Sequence, residues 1–433
     1  MNRFVPLLAL GLAAAAPALA ESTWFTGATI YPIETPPIPN GVLHVDDGKI
    51  VELGAGLVPP TGASVVDLAG KRLYPGFVHP ASPLGIVEIG SVRGTVDNTE
   101  IGVNNAHLRT EVAFNADSLL LAPAMGGGVL TANVAASGGL VSPASAVMRL
   151  SGWNWREMTM KSRAALYVDF PDVVLERRNV EEKERDEFET KSKEKLRELD
   201  DLFDRARAWR SAWKASPAAG SGGGNAPRVD FDAGLDALSA ALDGSSAIFV
   251  DAHERRQIGA ALDWIEKQKL ARTILVSGSD ALFHAERLAK AGIPVLVNEV
   301  LTLPRRATDP YDAAYSAPAR LHAAGVKIAI GDGGDHANAR NLPFHAGMAV
   351  AFGLPEEVAL RAITLTPAEL LGVGDRVGSL APGKEATFFV ADGDPLEIES
   401  AIQRVFVRGS EIDLERDRQR QLWRRYSIRP AAR

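Results

Sequence analysis

Apolar residues along this 433-residue chain fall into short runs with two kinds of spacing. Near the start, VLHV and KIVEL flank Asp47-Gly48. Two strand-like runs joined by an Asp-Gly pair predict a β-hairpin, because that pair accepts the left-handed backbone a tight turn needs. Near the end, TFFVADG and RVFVRGS are strand-like again. Between these ends the pattern changes. Apolar runs VLTANVA at 129–135, AIFVDAH at 247–253, TILVSGSD at 273–280, IPVLVNEV at 293–300 and VKIAIGDGGD at 326–335 alternate with helical stretches. Short continuous apolar runs at helical separation predict parallel strands buried on both faces. Gly126-Gly127-Gly128 predicts a helix stop just before the first of them.

Residues 176–228 break this rhythm. Leu196, Leu199, Leu202 and Phe203 recur at helical spacing within a run of alternating charge. One long helix with a narrow apolar stripe is expected there. SPAAGSGGGNAP at 216–227 has the composition of a flexible linker.

The balance of charge and the first residues narrow the function classes. A net charge of −7 leaves no basic footprint for nucleic acid. The absence of cysteine excludes disulfides and thiolate metal sites. Arg3, the apolar run Phe4–Ala16 and Ala18-Leu19-Ala20 have the layout of a secretory signal peptide. Cleavage after Ala20 and a periplasmic or secreted protein are expected. The apolar run is too short to cross a bilayer, so no membrane span is expected once it is removed.

Longer motifs point to a family. LYPGFVHPASPLG at 73–85 resembles the first barrel strand of the amidohydrolase superfamily, which runs Pro-Gly-apolar-apolar-Asp-x-His-x-His-x-Gly. Residues 353–395, from GLPEEVALRAITLTPAELLG to the closing DGDP, are similar to that family's C-terminal pattern. RTEVAFNADS at 109–118, the run 126–146 and DGGDHANARNLPFHAG at 332–347 also fit, most closely the secreted, imidazolonepropionase-like group. The resemblance implies an α/β fold. It places a (β/α)8 TIM-like barrel over 75–375 and a small β-sandwich built from 21–74 and 376–433. Residues 176–228 then form a helical insertion and linker, either a solvated excursion, a dimer contact or a lid over the barrel mouth.

The same resemblance implies hydrolysis of a non-peptide C–N bond in a small substrate by metal-activated water. In such a barrel the chemistry sits at the C-terminal ends of the strands. Asp332 is the implied base, with His253 as ligand or transition-state stabiliser. Several ligand positions depart from the family. Ala81 and Pro83 stand at the paired histidines of the first strand, with His79 at the preceding Asp. Asp251 replaces the first histidine of strand five, and Ser277 aligns with the histidine of strand six. No Lys or Glu is identified for strand four. The donors left are Asp251, His253, Asp332 and His79, enough for one zinc or manganese ion at most. Ser277, Glu299, Asp335 and His336 are expected to line the pocket.

Other motifs carry less. Ser137-Gly138-Gly139 reads as a turn, with backbone N–H groups that could also face an oxyanion. His44, His107, His284, His322 and His345 read as surface or packing residues. Two expectations follow for function. One is an amidohydrolase acting on a small substrate. The other is a catalytically silent barrel of the same fold that binds a small molecule or a partner in the periplasm, with homo-oligomerisation left open.

Overall fold

The structure is a computed structural model that describes residues 22–175, 181–216 and 229–428. The signal-peptide stretch 1–20 and most of the linker at 217–228 lie outside the described residues. Strands β1 (Thr23–Ile30), β2 (Ile38–Asp46), β3 (Lys49–Ala55), β4 (Ser64–Asp67) and β5 (Arg72–Pro75) open the chain. The β2–β3 hairpin turns at Asp47-Gly48, where both residues take positive φ.

The barrel strands follow as β6 (Phe77–Ser82), β7 (Val129–Val134), β8 (Ala146–Arg149), β9 (Thr159–Lys161), β10 (Ala165–Asp169), β11 (Ala247–Asp251), β12 (Thr273–Ser277), β13 (Val295–Val297) and β14 (Ile328–Ile330). β15 (Phe388–Ala391), β16 (Ile402–Val407) and β17 (Ser410–Ile412) return to the first sheet. That sheet has the order β17-β16-β15-β5-β1-β2-β3, with β4 also paired to β1. It folds over its own core, in which Phe25, Phe388 and Phe406 pack ring against ring. Both ends of the chain therefore build one β layer beside the barrel.

β10 to β14 form a continuous parallel sheet, and β6 pairs parallel with β7. Side-chain alternation shows how these pieces close. Val78, Val147, Ala165, Phe249, Val276, Leu296 and Ala329 come one each from β6, β8 and β10 to β14, and they share a single apolar cluster. That cluster is the barrel interior. Their neighbours Ile248, Val250, Leu275, Val295, Val297, Ile328 and Ile330 face the other way, into the core beneath the helices. Helix Leu365–Leu371 plugs the end opposite the mouth with Ala368 and Leu371.

One stave differs from the expected βα alternation. Residues 141–149 run antiparallel to β7 through β8 and antiparallel to β10 through Val141, Ser142 and Ser145. The reason is chain length. A parallel return needs a crossover of a dozen or more residues, and the stretch after β7 turns back at Ser137-Gly138-Gly139 instead. Gly138 and Gly139 both take positive φ there, against the backbone of Glu100, Gly102 and Val103.

The insertion is one helix, Glu182–Ala215. Leu199, Leu202, Phe203, Ala206 and Trp209 are its buried stripe. They pack on helices Ala233–Leu242 and Arg255–Gln268, with Phe203 edge-on to Trp264 at 4.9 Å. Asp200 ties the same surfaces through Lys267 at 2.8 Å and Gln268 at 2.9 Å. The C-terminal half of the helix is thus anchored. Its N-terminal half is charged and mostly exposed, and reaches the barrel mouth. Among the described residues, no helix is long and apolar enough to cross a membrane.

Phe203→Ala removes the largest fully buried anchor of the insertion, and truncating such a Phe costs about 3–5 kcal/mol. Denaturant unfolding should show a loss of that order. A change below about 1 kcal/mol would mean that the helix does not dock as described.

Candidate active site at the barrel mouth

Alternation also decides which side chains reach the mouth, since successive residues of a strand point to opposite faces. Ala165 and Tyr167 face inward on β10, so Asp169 is the next inward residue. Ala247 and Phe249 do the same on β11, and Asp251 follows them. Asp169 and Asp251 are register partners on adjacent parallel strands. Strands so paired lie about 4.8 Å apart, which sets the two carboxylates side by side. Sequence reasoning missed Asp169. The signal available was the apolar run ALYV ending in an acid.

Asp251 Oδ1 stands 2.5 Å from His253 Nε2, and Glu299 Oε1 lies 3.5 Å from His253 Nδ1. The imidazole is therefore bracketed by two carboxylates. Burial works against its charge, but the contact with Asp251 and the charges of Asp251 and Glu299 outweigh burial and raise its pKa above the ordinary histidine value. The Asp169 carboxyl is also pushed above the usual range, by burial first and then by the charge of Asp251. Tyr167 is raised as well, by burial and again by Asp251.

These groups stand where two cavities meet. One, of about 500 Å³, lies between Asp169, Asp251, His253 and Glu299 on one side and Val173, Leu175 and Phe188 on the other. Phe188 belongs to the insertion helix, which therefore forms part of the cleft wall. The other cavity, of about 390 Å³, is lined by Ala81, Ser82, Ser137, Tyr167 and Asn298. Asp169 and Asp251 line both.

Asp332 and His79 are elsewhere. Ala329 faces inward on β14, so alternation turns Gly331 inward and Asp332 away. The Asp332 carboxylate is 3.0 Å from His79 Nε2, with side-chain exposures of 1% and 0%. It also accepts the Gly334 N–H at 2.9 Å. Burial pushes this carboxyl up, but His79, the Gly334 N–H and His345 outweigh it and hold it below the ordinary value. The pair joins the first barrel strand to the last and lines neither cavity.

The expectation of Asp332 as the base at the mouth does not match this placement. Ser277 likewise turns outward and is fully buried. Asp335 caps the turn His336–Asn341 through Ala337 and Asn338 and, like His336, lines neither cavity. Of the expected pocket residues, Glu299 reaches the cleft. Ser137-Gly138-Gly139 forms a turn on the rim of the second cavity.

The donor set can be tested against the family's divalent metal. Inward positions on β6, β12 and β14 carry Ala81, Gly278 and Gly331, none of which offers a side-chain donor. A Cβ at Gly278 would sit 2.7 Å from Glu299 Oε2, and one at Gly331 would meet Asn298 Oδ1. Side chains from the neighbouring strand end fill the space beside these two glycines. The remaining donors form two separate groups, His79 with Asp332 and Asp169 with Asp251, His253 and Glu299. Among the described residues, no cluster of three or more His, Asp or Glu is arranged to hold a metal ion. The residues do not fit that metal.

Comparison with known proteins agrees with the fold. The amidohydrolase family model matches residues 239–413. An amidohydrolase of Hapsidospora irregularis is 36% identical over 73 residues, 17% of this chain and 7% of its own length. An adenine deaminase of Methanoregula boonei is 48% identical over 61 residues, 14% of this chain and 10% of its own length. The chain thus matches a tenth or less of either curated relative. A solved amidohydrolase from Thermotoga maritima superposes with a TM-score of 0.77 at 25% identity, covering 90% of this chain and 99% of that one. A zinc-bound adenosine deaminase from Xanthomonas campestris shares the fold at 17% identity, with a TM-score of 0.50 over 95% of this chain and 99% of its own.

Asp332→Asn breaks a buried pair and should cost about 3 kcal/mol or more near neutral pH. Because the folded-state pKa is lowered, this contribution is full above the unfolded value and is lost as pH falls through the folded one. The deficit in denaturant unfolding should therefore shrink on acidification. Unchanged stability at neutral pH would contradict the assignment.

Proposed function

The chain belongs to the amidohydrolase superfamily, and from that premise we propose that it hydrolyses non-peptide C–N bonds of a small substrate, with Asp169, Asp251 and His253 handling the protons. The observation that supports this most is the Asp169–Asp251 pair at the junction of two cavities. Two neighbouring carboxylates whose surroundings differ divide into an acid and a base. Asp251 is backed by the His253 imidazole at 2.5 Å, whose raised pKa favours an ionised Asp251 as the base. Asp169, with its raised pKa, is the acid.

The reaction then balances without a further reactant. Water adds to the acyl carbon, and its proton passes to Asp251. The C–N bond breaks as Asp169 gives its proton to the departing nitrogen. The products are a carboxylic acid and an amine. The second reading is a silent barrel that only binds. It is favoured by Ala81, Gly278 and Gly331, which leave the inward wall without the family's ligands. The N-terminal leader pattern supports a periplasmic or secreted setting for either activity in this proposal.

A panel of N-acyl amines, cyclic amides and ureas, assayed for amine or ammonia release, separates the two. Asp169→Asn and Asp251→Asn should each lower kcat about 100-fold or more. The alkaline limb of the wild-type pH profile should follow Asp169, with activity falling as it loses its proton above an ordinary Asp value. Binding without turnover across the panel would support the silent barrel. Full activity in both variants would overturn the proposed pair.

A further inference from the structure

The two cavities differ in chemistry, and their difference bears on what each half of a substrate carries. In the larger one, Asp169, Asp172, Asp251, Glu254 and Glu299 face His253 and Arg305. Two of these carboxylates are occupied. Asp172 accepts from Gln257 Nε2 at 3.1 Å, and Glu254 caps helix Arg255–Gln268 through the N–H groups of Arg256 and Gln257. Asp251 and Glu299 flank the His253 imidazole at 2.5 and 3.5 Å, and Asp169 stands beside Asp251, so the lining still carries more carboxylates than cations. The opposite wall is apolar and comes from Val173, Val174, Leu175 and Phe188. Phe188 is placed there by the insertion helix, whose Ser192 hydroxyl donates to the Asp172 carbonyl at 2.6 Å. An acidic floor under an apolar wall suits a cationic head on an aliphatic stem, because the stem stays dry while the head meets charge.

The smaller cavity carries no charged side chain beyond the shared pair. Asn133 supports the Tyr167 side of its wall from behind. This residue is the register partner of Val147, which belongs to the barrel interior, so its side chain points inward. It is fully buried, and its Nδ2 donates to the Pro80 carbonyl at 2.9 Å and to the Tyr167 hydroxyl at 3.1 Å. Its Oδ1 has no protein partner. The smaller cavity, without a further charged side chain, suits an uncharged group.

Resting on the hydrolase reading of this cleft, we infer that the leaving half of the substrate carries a second, cationic group. The substrate class is an N-acylated amine with an ammonium or guanidinium on a short aliphatic stem. The acyl half sits in the smaller, uncharged cavity, the scissile bond at Asp169–Asp251, and the cation among Asp251, Glu299 and the insertion-helix wall. Glu299 acts here as a specificity residue, held in position by the lack of a side chain at Gly278.

Titration calorimetry on the full-length mature protein tests this, with N-acetylcadaverine and its uncharged analogue N-pentylacetamide as probes. The cationic probe should bind at least about tenfold more tightly, and the gap should narrow with added salt. Glu299→Gln should close most of the gap. Phe188→Ala should weaken both probes, because it removes the shared apolar wall. Equal affinity for the two probes, or a preference for the neutral one, overturns the inference. Tighter cationic binding without any cleavage upholds the inference and counts against the hydrolase reading. Cleavage of both probes without discrimination does the reverse.

Discussion

Asp169 and Asp251 are neighbours because β10 and β11 run parallel and in register, each ending on an acid. Two carboxylates at strand spacing repel, and one of them must hold a proton more firmly than usual. Everything else at the mouth responds to that pair. The imidazole of His253 lies against Asp251, Glu299 approaches from the next strand end but one, and Tyr167 beneath them is held neutral by burial and by the same charge. The pair also marks the point where a neutral chamber opens into an acidic one.

The arrangement depends equally on what is missing. Gly278 and Gly331 occupy inward positions where a side chain would collide with Glu299 and Asn298. Ala81 leaves the third such position small. A wall stripped of donors at these points cannot surround a cation as the family's ligands do, and the carboxylate–imidazole group occupies the vacated space. His79 and Asp332 keep a different task. They link the first and last strands as a buried pair and line neither cavity.

Much of this was legible in the sequence, and the misses have physical causes. The Asp47-Gly48 hairpin, the strand runs ending at Asp251, Ser277 and Asp332, and the long insertion helix all follow from local pattern. Asp251, His253 and Glu299 could be named because they end apolar runs. Motif matching puts Asp332 forward as the base without regard to whether it faces in or out, while Ala329 and Ile330 set that parity in the structure. Asp169 was passed over since the strand-four run is short and no Lys or Glu closes it. The reversed third stave depends on the tight Ser137–Gly139 turn, whose direction is a tertiary outcome. The insertion helix was readable as a helix, but its Phe188 in the cleft wall was not, since a lone aromatic in a charged run has no local signature.

We propose that the mouth works through side-chain acids and an imidazole without a resident divalent ion. Elemental analysis of the protein, purified without chelator or metal-affinity resin and compared with Asp251→Asn, measures this. Well under one equivalent of zinc or manganese is expected in both, before and after soaking and desalting. Close to one equivalent in the wild type, lost in Asp251→Asn, would establish a resident metal at the mouth instead.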